Sequence, residues 1–215
     1  MSTKPEHTGL RRRAVLSTRA LNAALDAGLS ADPAAIVDLR ADAYGHGAEA
    51  VEQRARARGA SRFLRDGDTL AQIPQGTFLL APYGYDTDPV LRLEGEVVAV
   101  KRVPRGSGVS YGYSYRTSDD TTLALVALGY ADGLPRLASN RASVGIGTAR
   151  GVVAGRIAMD QLVVDLGNAP VAVGDAASLW HDAPTLAQWC SAAGRTAQAL
   201  TTRLGRRIDR VWVDT

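Results

Sequence analysis

The spacing of apolar and polar positions changes character near residue 90. Before it, strand-like and helix-like segments alternate. Residues 13–17 form a short extended run. Thr18 is placed to cap a helix whose Leu21, Ala24, Leu25 and Leu29 recur on one face. Residues 35–39 are a compact apolar run of strand length, and residues 48–58 read as a helix that Gly59 stops. Residues 61–65 and 77–81 give two more short strands. This alternation predicts βα units around a parallel sheet. Beyond Leu91 short strands follow one another at 96–103, 122–128, 142–146, 152–157, 162–166 and 177–180, separated by Gly, Pro, Asn and Asp. That density predicts an all-β domain, either a sandwich or a barrel. A single helix interrupts it. Thr185 and Gln188 have capping-box spacing, and Leu186, Trp189, Cys190 and Ala193 form its apolar face. A last strand is expected at 208–213. Gly and Pro cluster at 82–89, which divides the chain into residues 1–88, a partial βα region, and residues 89–215, a β-domain.

Composition narrows the function classes. The 215 residues are 46% apolar and 22% charged, as in ordinary soluble globular proteins. No apolar run approaches the roughly 18 residues a membrane span needs. Residues 1–10 are mostly polar and read as a loose tail, not a secretory signal. Arg11, Arg12 and Arg13 read as a solvated approach to the first strand. The net charge is only +3 and no basic stripe with interleaved aromatics follows, so neither nucleic acid nor membrane is an expected partner. The one cysteine, Cys190, rules out an internal disulfide, reads as a buried structural thiol and makes a cytoplasmic location the expectation. His7, His46 and His181 have no metal-ligand spacing. Arginine is abundant, but Lys4 and Lys101 are the only lysines.

The segment Val37-Asp38-Leu39-Arg40-Ala41-Asp42-Ala43-Tyr44-Gly45-His46-Gly47 follows the second strand. Parallel βα enzymes place chemistry at such strand ends, although by itself the segment reads equally well as a turn and a helix cap. Further on come Val109-Ser110-Tyr111-Gly112, then Leu128-Gly129-Tyr130-Ala131-Asp132-Gly133-Leu134-Pro135-Arg136. Gly155-Arg156-Ile157-Ala158-Met159-Asp160-Gln161 and Thr202-Arg203-Leu204-Gly205 follow in turn. In this order and spacing the set resembles the alanine racemase family, from about residue 13 to residue 213 with one large gap near 65–90. The resemblance implies an α/β plus β fold: a truncated (β/α) barrel remnant followed by an alanine-racemase-like C-terminal β-domain. It implies pyridoxal phosphate as cofactor, held by a barrel lysine, and head-to-tail dimers acting on a small amino acid. In that family the lysine and a tyrosine from the partner move protons on opposite faces of the substrate α-carbon. Carried over by position, Tyr130 matches the catalytic tyrosine. Met159 matches the residue whose backbone contacts the substrate carboxylate, and Tyr44 matches a tyrosine near the cofactor phosphate.

Three departures qualify what the resemblance implies. Arg40 stands at the position of the lysine. A guanidinium stays protonated, with a pKa above about 12, and cannot form a Schiff base or shuttle the proton; it retains the capacity to pair with a phosphate. Neither Lys4, in the tail, nor Lys101, in a β-domain strand, is placed to substitute. Secondly, a barrel of eight βα units takes about 250 residues, whereas residues 13–81 hold two or three units at most, and residues 74–84 offer no counterpart to the family's arginine near the pyridine nitrogen. Thirdly, Ala197-Gln198-Ala199 stands where the family usually has Asn-Tyr-Glu, whose tyrosine reaches the phosphate. The sequence therefore reads as an alanine-racemase-like protein, linked by resemblance to D-alanine and peptidoglycan-precursor metabolism, that does not racemise alone: a pseudoenzyme in which Arg40 stands against covalent binding of pyridoxal phosphate. One alternative is an interaction or regulatory module docking on a full-length racemase. Another is an active pyridoxal-phosphate-dependent racemase. An incomplete barrel exposes sheet edges, so the expected state is a homodimer or a heterodimer with a full-length racemase.

Overall fold

A computed structural model of the chain describes residues 10–69, 71, 73–75, 77–85 and 88–215. In chain order the elements begin with β1 (Arg12–Ser17), α1 (Thr18–Ala31), β2 (Ile36–Asp38), α2 (Ala48–Ala57), β3 (Arg62–Leu64) and β4 (Leu79–Leu80). Then come β5 (Leu91–Val103), β6 (Gly108–Val109), β7 (Tyr115–Arg116), β8 (Thr121–Val126), β9 (Ser143–Ile146), β10 (Ala149–Val153), β11 (Leu162–Asp165) and β12 (Ala176–Trp180). The chain ends with α3 (Leu186–Ala193), α4 (Ala197–Thr201) and β13 (Asp209–Val213). Two compact units result. An α/β unit comprises Ala14–Arg92, Arg195–Leu204 and Arg210–Thr215; a β unit comprises Leu93–Gly194 and Gly205–Asp209 together with residues 10–13.

In the α/β unit, β2 is the centre of a three-stranded parallel sheet in the order β3-β2-β4. Ile36 pairs with Arg62 on one side and with Leu79 on the other. A central parallel strand is covered on both faces, and Ile36, Val37 and Asp38 are all buried. Helix α1 buries Leu21 and Leu25, and Gly28 lets it approach β4: a Cβ there would lie 2.3 Å from a Leu80 methyl. Its N-terminus is capped by Ser17, whose hydroxyl accepts from the Ala20 N–H at 3.0 Å, and not by Thr18. Both residues suit a cap chemically; Ser17 takes the role because its backbone is still extended (φ −80°, ψ 112°).

In the β unit six antiparallel strands close on themselves. The order is β12-β9-β10-β11-β8-β5, and β5 pairs back to β12. β5 does both jobs because it is long: Leu93 to Glu96 face β12, and Val97 to Val103 face β8 across a register shift. Of the two architectures the strand pattern allowed, the barrel is the one adopted, and closure leaves these strands no free edge. Alternate positions point inward, so Val97, Val126, Val144, Val153, Val164 and Leu179 fill the interior. Helix α3 has the expected capping box, and its Trp189 packs edge-on to Trp180 at 5.7 Å while donating from Nε1 to the Ser143 carbonyl at 2.9 Å.

Four local expectations are corrected. β10 ends at Val153, not at residue 157, because Gly155 at φ +81° turns the chain out of the sheet. The two-residue pair β6–β7, too short to produce a periodicity, was not expected. α4 adds a second helix after α3, capped by Thr196. Cys190 is half-buried, where a buried thiol was expected; Leu186, Trp189 and Ala193 are the buried residues of α3.

Candidate functional site

The C-terminal end of β2 runs into an unusual turn. Ala41, Asp42, Ala43 and Tyr44 all have φ between 52° and 55°, one turn of left-handed helix built from L-residues. Each such residue costs roughly 1–2 kcal/mol, so the turn persists only where its surroundings hold it. The Ala41 N–H donates to both Asp66 carboxylate oxygens, at 2.9 and 3.0 Å. The Asp42 carboxylate accepts from the Ala48 N–H at 2.8 Å, which also caps α2. Gly45, at φ +84°, closes the turn against Thr201; a Cβ there would sit 2.2 Å from the Thr201 carbonyl oxygen. Arg210 donates from Nε to the Gly45 carbonyl at 2.8 Å.

This turn brings Arg40 and Tyr44 together around Asp38, which is 3% exposed. Arg40 donates from Nε to Asp38 Oδ1 at 2.8 Å and from Nη2 to Oδ2 at 2.6 Å, a two-pronged ion pair. The Arg40 N–H adds a bond to Oδ1 at 3.2 Å, and the Tyr44 hydroxyl donates to Oδ2 at 2.7 Å. Burial pushes the Asp38 carboxyl up, but the bonds from Arg40 and Tyr44 outweigh it and hold the group below the usual carboxylate range. The same pair raises Arg40 further above its already high value, mainly through the hydrogen bond to Asp38. Burial first, then the bond to Asp38, also raises Tyr44.

Behind the turn lies a buried aromatic layer. Tyr83, fully buried, donates its hydroxyl to the Asp38 carbonyl and stacks on His46, with ring centres 4.5 Å apart. His46 Nδ1 lies 2.9 Å from the Ala43 carbonyl and 3.2 Å from the Tyr44 carbonyl. Two acceptors there assign the proton to Nδ1 and the lone pair to Nε2; Nε2 has no hydrogen-bond partner among the described residues. Burial pushes the imidazole pKa down to about 4, with the nearby Arg210 charge acting in the same direction against the two carbonyl bonds.

In the β unit, Tyr130 and Met159 are brought together. The Tyr130 N–H donates to the Ala158 carbonyl at 3.0 Å, and the Ala131 N–H to the Met159 carbonyl at 2.9 Å. Gly129 permits this contact, since a Cβ there would be 2.2 Å from the Met159 carbonyl oxygen. Both side chains point outward, Tyr130 44% and Met159 52% exposed, with the Arg136 guanidinium 5.8 Å from the Tyr130 ring centre. Asp132 anchors the turn from within. It is fully buried, accepts from the Gly129 N–H at 2.8 Å, and takes Arg207 Nε at 3.1 Å and Nη2 at 3.0 Å. Arg207 also reaches Asp160, at 2.5 Å. The carboxylates flanking Tyr130 and Met159 thus share one cation.

Of the residues singled out from sequence, Arg40 and Tyr44 meet in the α/β unit, and Tyr130 and Met159 meet in the β unit. Lys101 is exposed on β5, paired with Leu123 of β8, and Lys4 lies outside the described residues. Sequence reasoning assigned no role to Asp38, Tyr83, Asp132 or Arg207. Asp38 carried the one usable signal, a carboxylate at the end of an apolar strand two residues before a cation. Arg207 pairs with a residue 75 positions away, and no local pattern announces it. Among the described residues no cluster of His, Cys, Asp and Glu could hold a metal ion, and no helix is long and apolar enough to cross a membrane.

Comparison with known proteins places this geometry. A family model described as alanine racemase, C-terminal domain, matches residues 90–212. The chain belongs to the alanine racemase family. The alanine racemase of Thermobifida fusca is 47% identical over 128 residues, 58% of this chain and 34% of that protein. The alanine racemase of Streptomyces coelicolor is 42% identical over 155 residues, 70% of this chain and 40% of that protein. The matched region thus spans two fifths or less of these curated racemases. Among solved structures, alanine racemase from Streptomyces lavendulae superposes with a TM-score of 0.80 at 23% identity, over 96% of this chain and 98% of that one. Alanine racemase from Bartonella henselae, crystallised with covalently bound pyridoxal phosphate, gives 0.83 at 16% identity, over 94% of this chain and 99% of that one. At these identities the structures establish a shared fold: a βα region joined to the racemase C-terminal β-domain.

Proposed function

We propose that this chain is an alanine racemase homologue that does not racemise amino acids by itself. One observation carries the reading: the position that the resemblance gives to the cofactor lysine holds Arg40, and Asp38 engages that guanidinium at 2.6 and 2.8 Å. The family's cofactor, pyridoxal phosphate, would act by holding the substrate nitrogen covalently and drawing electron density from its α-carbon. The residues at the end of β2 do not suit that group. Arg40 has no amine that becomes neutral, the Nε and Nη2 donors it would turn to a phosphate face a carboxylate, and the Tyr44 hydroxyl is donated to the same carboxylate. The described residues also supply three parallel strands, where a closed βα barrel uses eight. No proton-transfer step is therefore assigned to Tyr130.

The test is direct. Purified protein with added pyridoxal phosphate is assayed for interconversion of L- and D-alanine, and its visible spectrum is recorded before and after borohydride reduction. The expected results are no racemisation and no reducible adduct at the end of β2. Turnover in the wild-type chain would overturn the reading.

A second reading is favoured by a separate observation. The β unit keeps Tyr130 and Met159 at its surface, and Tyr111, Tyr113 and Leu137 of the same unit are exposed as well. Where such side chains form one contiguous apolar patch they mark an interaction surface. In this reading the chain is a docking module, paired with a second copy or with a full-length racemase. Sedimentation of the purified chain alone and mixed with a complete alanine racemase distinguishes the cases; a monomer in both removes this second reading.

A further inference from the structure

We propose that Asp38 is a second, independent block to covalent cofactor chemistry at position 40, so that an Arg40→Lys change alone leaves the site closed. The inference rests on the inactive reading of this site and deepens it. Asp38 is fixed by the fold, not by Arg40 alone. Its residue is the last of the central buried strand, its carbonyl takes the Tyr83 hydroxyl, and its Oδ1 accepts the residue-40 backbone N–H at 3.2 Å, a bond that survives any side chain there. A lysine placed on the same backbone therefore keeps a buried carboxylate beside it. Imine formation joins a neutral amine nitrogen to the aldehyde carbon of pyridoxal phosphate, and the carbonyl oxygen leaves as water with both amine protons. An ammonium has no lone pair for the attack. An opposite charge this close raises an amine's pKa by about one to three pH units, and each unit removes about tenfold of the neutral amine at neutral pH.

Asp38 acts on the phosphate side as well. Tyr44 has one hydroxyl proton, and it is donated to Asp38 Oδ2 at 2.7 Å, so it is not available to a phosphate oxygen. The carboxylate also sets a negative charge, 4% exposed and weakly screened, beside the Tyr44 hydroxyl, so any phosphate drawn to that hydroxyl meets a like charge. Asp38 therefore removes the nucleophile's lone pair and captures the tyrosine donor.

The experiment compares Arg40→Lys with Arg40→Lys/Asp38→Asn, each incubated with pyridoxal phosphate and reduced with borohydride. The reagent delivers hydride to the imine carbon while solvent protonates the nitrogen. Peptide mapping then gives the labelling rate at position 40 against Lys101 of the same chain. The expected result is a single variant labelled at position 40 no faster than at Lys101, and a double variant labelled at least about tenfold faster there than the single. Equal rates in the two variants overturn the proposal. A second measurement needs only the single variant and guards against misfolding of the double. The pH at which position 40 becomes reactive should lie above that of Lys101 in the native chain and fall to match it in denaturant; coincidence in the native chain also overturns the proposal. Racemisation by the wild-type chain would instead remove the inactive reading, so the two failures are told apart.

Discussion

Gly129 is where the β unit's two exposed candidate residues depend on a missing side chain. Replacing it with alanine puts a Cβ 2.2 Å from the Met159 carbonyl oxygen, 2.4 Å from the Met159 carbonyl carbon and 2.5 Å from the Ala158 carbonyl oxygen. All three are backbone atoms, so no rotamer change relieves the contact, and the 129–133 turn must separate from the 157–161 segment. Overpacking of this kind costs about 1–3 kcal/mol. Separation also lengthens the Tyr130–Ala158 and Ala131–Met159 backbone bonds, now 3.0 and 2.9 Å, each contributing about 1 kcal/mol. The expected loss for Gly129→Ala is about 2–4 kcal/mol in the β unit. Urea unfolding followed by tryptophan fluorescence reads it, because Trp180 and Trp189 are buried in that unit. A variant within about 0.5 kcal/mol of wild type, the range of a neutral surface change, would refute the argument that the 129–133 turn is held by backbone contact.

Two further perturbations test the buried groups. His46 has a folded pKa of about 4 against about 6.5 unfolded, so between those values the unfolded chain binds a proton that the folded chain refuses. Stability of the α/β unit should therefore decline as pH falls from about 6.5 to about 4, by at most about 3 kcal/mol. A His46→Phe variant should lack that slope when unfolding is followed across the same window; an unchanged slope refutes the assignment. Arg207→Ala leaves the fully buried Asp132 with Arg12, whose Nε is 3.7 Å away, as its remaining cation. Arg207 is itself 41% exposed and partly screened, so the expected destabilisation is about 1–2 kcal/mol. It should be salt-sensitive in thermal melts, and a loss indifferent to salt argues against the ion pair.

What the sequence revealed of this fold was what short-range pattern encodes. Periodicity located α1, α2 and α3, and alternation located most barrel strands, because each of those signals lies within a dozen residues. Barrel against sandwich was not legible. It turns on the pairing of Leu93–Glu96 with β12, some eighty residues along the chain, and on β5 being long enough to serve two neighbours. The end of β10 was misjudged because Val152 to Ile157 continues the apolar pattern past the point where Gly155 turns the backbone. The left-handed turn was hidden for a different reason. Ala-Asp-Ala-Tyr has no local preference for φ near +50°, and the contacts that hold it come from Asp66, Thr201 and Arg210.

Arg40 was legible as a departure from the racemase pattern, but its meaning was not, because that meaning depends on Asp38. A buried carboxylate without a cation is costly, and so is a half-buried guanidinium without an anion; breaking such a pair leaves the other charge uncompensated. Asp38 and Arg40 are therefore better understood as one physical feature than as two separate residues. Read alone, Arg40 is a lost nucleophile in a site otherwise ready to receive a phosphate. Read with Asp38, it is half of a closed ion pair whose carboxylate also takes the Tyr44 hydroxyl. The first view predicts that restoring lysine reopens the chemistry. The second predicts that it does not, because the charge that stabilises the arginine would hold the lysine protonated in turn.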